Sequence, residues 1–80
     1  MKIREAVINR IYDLSVEKNM SINAIAIEAG LPPSTLRNII NGKSKNPGIV
    51  TLEIICEGLN VSISDFFSAS IFSDIEQEIC

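Results

Sequence analysis

Eighty residues with a net charge of −3 leave room for one compact unit and exclude a second independent core. Apolar residues make up 46% of the chain while Trp is absent and aromatics are scarce, so the core is expected from Ile, Leu, Val and Ala, a mix that suits packed helices. There is no His, Cys56 and Cys80 have neither metal-site spacing nor the density of a disulfide scaffold, and no nucleophile and base can be paired. The expectation is a protein with no metal, no cofactor and no catalysis, in a reduced cytoplasmic setting. No apolar run approaches membrane-spanning length, and the first residues alternate charged and apolar types, so no membrane partner and no targeting segment are expected.

The elements follow in chain order. Ile3, Val7, Ile11 and Leu14 recur at helical spacing, with Ile8, Tyr12 and Val16 widening the stripe, which predicts a first helix over residues 3–18. Ser21 is a good N-cap for a second helix that ends near Ala29, where Gly30 supplies the left-handed residue that closes it. Pro33 fits the first position of a third helix, residues 33–41, and Gly42 closes that helix in the same way. A polar loop leads to a fourth helix over residues 49–58 that buries Leu52, Ile55 and Cys56. Ser62 with Asp65 resembles a capping box and opens a short fifth helix holding Phe66 and Phe67. Beyond it, Phe67, Ile71, Ile75 and Ile79 stand four apart and form a narrow apolar stripe if that stretch is helical.

Charge is unevenly placed. Residues 1–29 are balanced, residues 30–50 carry only Arg37, Lys43 and Lys45, and residues 51–80 carry only acids. One small body with a basic and an acidic surface can orient itself on a polyanion despite its net charge. The pattern of sizes over residues 21–41 is the most informative signal. Ile25, Ala29, Leu31, Leu36 and Ile39 sit where two short helices crossing steeply must bury side chains, with Ala26 small at their closest approach. The outward face of the third helix is then left with Pro33, Ser34, Thr35, Arg37, Asn38 and Asn41, nearly all hydrogen-bonding types.

With the runs Ser21-Ile22-Asn23-Ala24-Ile25-Ala26 and Gly30-Leu31-Pro32-Pro33-Ser34-Thr35-Leu36, continued through Ile39 to Pro47, Leu52 and Gly58-Leu59-Asn60-Val61, the chain resembles the phage-repressor and Cro-like helix-turn-helix regulators, the XRE family. The resemblance covers roughly residues 5–68. It implies an all-α, five-helix bundle of the lambda-repressor-like type, with residues 1–69 as the DNA-binding domain and 70–80 as a C-terminal extension. It also implies a transcriptional regulator, a repressor by this reading, that binds operator double-stranded DNA as a homodimer with the third helix in the major groove. Carried over by position, Pro33, Ser34, Thr35, Arg37 and Asn38 fall where the family contacts bases, and Ser21, Asn41, Lys43 and Lys45 where it contacts phosphates. Ile22 stands where many members have Gln, and Ile40 and Ser15 stand where many pair Glu with Arg, so an apolar contact is expected in place of that ion pair.

The residue chemistry agrees on its own terms. Arg37 can donate two parallel bonds to guanine, Asn38 can pair with the adenine edge, and the Thr35 methyl can touch that of thymine. Lys43, Lys45 and the amides after Ser21 suit phosphate. Plainer uses exist for each: Arg37 and Asn38 as solvated surface, Ser34 and Thr35 as helix-initiating residues, the lysines as solubilising charge. Cys56 reads as a small core residue. Two alternatives in function stay open: an antitoxin-type autoregulator whose acidic C-terminal half grips a protein partner, and an interaction module that kept the fold but lost DNA binding. The stripe from Phe67 to Ile79 is equally open between packing on its own core and forming a dimer surface.

Overall fold

The computed structural model describes residues 1–44 and 46–76, so the sequence-based expectations for Lys45, Ile79 and Cys80 lie outside the described residues. Among the described residues all regular structure is helical: α1 (Ile3–Glu17), α2 (Ile22–Ala29), α3 (Pro33–Ile40), α4 (Ile49–Leu59), α5 (Ile63–Phe66) and a 3₁₀ turn at Ser70–Ser73. No helix of the described residues is long and apolar enough to cross a membrane.

The first four helices end alike. Residues Asn19, Gly30, Gly42 and Asn60 all have positive φ, between 54° and 78°. At each, the next amide reaches back five residues: Met20 to the Ser15 carbonyl, Leu31 to Ala26, Lys43 to Asn38 and Val61 to Cys56, at 2.8–3.0 Å. Gly adopts this conformation without steric cost, and Asn is the side chain that tolerates it best after Gly. Residues 18–19 read in the sequence only as a break in pattern, yet Asn19 closes α1 with the same device. The fourth helix runs one residue further than expected, to Leu59, because Asn60 and not Gly58 is its left-handed end.

Gly58 has a different task. It is buried inside α4, and a Cβ built there would stand 2.8 Å from the Ala29 Cβ and 2.9 Å from the Ile25 carbonyl oxygen. Only a residue without a side chain lets α4 lie this close to α2. Around this crossing the core gathers Val7, Ile11, Leu14, Ile25, Ala26, Leu36, Ile39, Ile55, Cys56, Leu59 and Phe66, with Leu31, Ile22, Ile40 and Leu52 packed against it while half-buried. Tyr12 and Val16 do not widen the α1 stripe as expected; they are 45% and 81% exposed, and the small residues Ala6 and Ser15 are buried instead. Ser15 satisfies its hydroxyl locally, donating to the Tyr12 carbonyl at 2.7 Å. With the half-buried Ile40 packed on the core, the site holds no ion pair among the described residues.

The C-terminal part departs most from its sequence reading. Phe67 is the residue after α5, not part of it, and the extended backbone at Ala69 breaks the helical phase before Ser70–Ser73. No α-helical stripe through Ile71 and Ile75 forms. Phe66, Phe67 and Phe72 meet as a trio, with ring centroids 4.8–6.0 Å apart. Packing the half-buried Phe67 and Phe72 rings on the buried Phe66 takes the place of the i,i+4 repeat. Arg10 of α1 fastens this region, donating from Nε to the Phe66 carbonyl and from Nη2 to the Asp65 carbonyl, both at 2.8 Å. The Glu76 amide then bonds the Met1 carbonyl at 2.9 Å, and its carboxylate lies 3.9 Å from Lys2 Nζ.

Candidate nucleic-acid interface

The start of α2 is built by Ser21, whose Oγ accepts the Ala24 amide at 3.0 Å while its carbonyl accepts that of Ile25. The amides of Ile22 and Asn23 come too early in the helix to find a carbonyl four residues back, so they face outward with the positive end of the helix dipole. The Ser21 hydroxyl hydrogen is also unspent, since the cap uses only the oxygen.

Helix α3 begins abruptly. Pro33 occupies its first position and needs no partner for a missing amide hydrogen, and Pro32 is extended (φ −58°, ψ 134°) as a residue before proline prefers. The short helix divides cleanly: Leu36 and Ile39 are buried, whereas Pro33, Ser34, Arg37 and Asn38 are exposed and Thr35 is half-buried. Spacing of four puts Pro33, Arg37 and Asn41 in one row, with Ser34 and Asn38 in the row beside it. The left-handed turn at Gly42 continues this surface, because the Lys43 and Ser44 amides both bond the Asn38 carbonyl at 2.9 and 3.1 Å. Lys43 is thereby fixed at the end of α3 with its side chain exposed.

Of the sequence-predicted residues that are described, Ser21, Pro33, Ser34, Arg37, Asn38, Asn41 and Lys43 are all exposed and Thr35 is half-buried. Asn23, which sequence reasoning did not single out, joins them: its Oδ1 accepts from Arg37 Nη2 at 3.1 Å. The two are fourteen positions apart on different helices, so no periodicity could have flagged the pair. Cys56 lies in the core, 2% exposed. Burial pushes its thiol above the ordinary range, Glu53 adds to that and Arg10 opposes it. Among the described residues no group of three His, Cys, Asp or Glu side chains is placed to hold a metal ion.

Two short helices joined at Gly30, the second with a buried apolar edge and an outward polar edge, define a helix-turn-helix DNA-binding domain. Comparison with known proteins carries this further. The model of the Cro/C1-type HTH DNA-binding domain matches residues 10–70. The chain is 30% identical over 69 residues to the uncharacterized HTH-type transcriptional regulator YvzC of Bacillus subtilis (strain 168), covering 84% of this chain and 88% of that protein. The crystal structure of the prophage Lp1 protein 11 superimposes with a TM-score of 0.79 at 34% identity, over 94% of this chain and 100% of that one. The chain belongs to the Cro/C1-type helix-turn-helix family of DNA-binding transcriptional regulators, a family of regulators and not of enzymes.

Proposed function

We propose that the protein is a sequence-specific repressor that acts in the cytoplasm by occupying an operator as a homodimer, with α3 laid in the major groove. The carrying observation is the division of α3, in which every buried side chain is apolar and the exposed rows hold Ser34, Arg37, Asn38 and Asn41. Pro33, Ser34, Thr35, Arg37 and Asn38 take the base-edge roles in this reading, and Ser21, Asn41, Lys43 and Lys45 take the phosphate roles. The molecule measures 33 × 24 × 19 Å, so one copy spans about one turn of duplex and a longer site calls for two. Ile49, Val50 and Ile63, 80%, 65% and 39% exposed at the starts of α4 and α5, supply an apolar patch one loop away from α3 for the second copy.

Selection of binding sites from random duplexes, followed by titration at several salt concentrations, tests the reading. The expected result is a two-fold symmetric site with half-sites about one helical turn apart and an affinity that falls steeply with salt. Equal affinity for selected and random DNA, or none at low salt, would overturn it. A second reading, in which the acidic half also grips a basic protein partner, is favoured by the exposure of Glu53, Glu57, Asp65, Asp74 and Glu76 on a half without any cation.

A further inference from the structure

Arg37 is the one cation of the outward face of α3, and it is held from the neighbouring helix. Its Nη2 donates to Asn23 Oδ1 at 3.1 Å with both side chains exposed. A guanidinium only donates, so the amide oxygen must face it and the Asn23 NH₂ must face away. An amide also holds the guanidinium without cancelling its charge, as a carboxylate at this position would. Four of the five guanidinium hydrogens remain, enough for the paired bonds to guanine O6 and N7. A side chain already tethered loses less freedom when it binds. Asn23 is meanwhile the second residue of α2, in the first turn, where the backbone amides of Ile22 and Asn23 have no intrahelical partner.

We propose that Asn23 is a positioning residue for base reading: its Oδ1 orients Arg37 in the groove while its Nδ2 donates to a phosphate oxygen, coupling the base contact to the backbone contact. This rests on α3 being the reading helix.

The test uses the whole protein on the selected operator, on operators altered at each base pair, and on random duplex, with affinities by fluorescence anisotropy and a thermal melt to verify folding. Arg37→Ala should erase discrimination at one base pair. Asn23→Ala should weaken discrimination at that same pair by about threefold or more, and in an Arg37→Ala background it should cost only an equal loss on every duplex. Asn23→Asp keeps the acceptor but removes the donor and adds a negative charge, so it should preserve the discrimination while lowering affinity for all duplexes. If Arg37→Ala erases discrimination and Asn23→Ala leaves it intact, the role of Asn23 fails and the reading helix stands. If Arg37→Ala changes no base preference, the role of Asn23 fails with that of Arg37, and the reading helix fails as well only if selected and random duplexes bind alike.

Discussion

The two halves of the molecule solve opposite problems. From Ser21 to Lys43 polar side chains are kept outside and mostly uncommitted, with only the Ser21 cap and the Asn23–Arg37 bond tying them among the described residues. From Ile49 to Glu76 the chain spends its residues on the core, with Ile55, Cys56, Leu59 and Phe66 at most 2% exposed and every charge negative. Both segments feed the core, the first through Ile25, Ala26, Leu36 and Ile39, but only the first backs its buried edge with an exposed face that carries cations. In the proposed reading, recognition can therefore be perturbed apart from stability. Acids repel phosphate, so in the proposed reading the core-rich half would also keep the duplex on one side of the molecule.

That separation can be broken by substitution, and the largest effect belongs to the acidic half. Phe66→Ala removes a fully buried ring that contacts Phe67 and Phe72, and should cost about 3–5 kcal/mol in denaturant unfolding. For an 80-residue domain that is enough to unfold much of the population. Arg10→Met keeps an aliphatic stem but removes the charged donor from the Phe66 carbonyl, while the Asp65 carbonyl keeps its bonds from Ser68, and should cost about 1.5–3 kcal/mol without altering base preference. Gly58→Ala drives a methyl group against the Ile25 carbonyl, which cannot swing aside as a side chain would. A loss of about 1–3 kcal/mol is expected, read as a lower midpoint at unchanged slope.

In the reading half the expected effects fall on binding. Arg37→Ala should cost about 1–3 kcal/mol on the selected operator and relax one base pair, whereas Lys43→Ala should weaken all duplexes alike and reduce the salt slope by about one. Thermal melting of both should stay near that of the parent protein, since both side chains are exposed. If either variant melted like Phe66→Ala, the separation of the halves would be wrong.

The smallest effect is one of pH. Because burial raises the Cys56 thiol pKa in the folded state, the folded protein holds that proton more tightly than the unfolded chain. Its contribution is therefore complete below the ordinary thiol pKa, about 8.5, and is lost as pH rises beyond it. Denaturant midpoints measured from about pH 7 to 10 should decline more steeply for the parent protein than for Cys56→Ala.

How much of this was legible beforehand depends on the range of the physics. Ser21, Gly30, Pro33 and Gly42 announce helix ends because caps and backbone conformations act within a few residues, and Leu36 and Ile39 announce the buried edge of α3 because one turn of helix fixes the phase. The same local rules failed after Phe67, where the chain leaves the helical phase to stack Phe72 on its neighbours. They are also silent on the part Gly58 plays, which shows only once α2 is seen packed against it. The sequence by itself thus determined the helices of the motif, the face they expose and the family to which the chain is related. Tertiary structure alone decided that Gly58 admits α2, that Arg10 clasps the end of α5 and that Asn23 holds Arg37. Each of those contacts joins residues far apart in the chain, and no pattern confined to one helix carries that information.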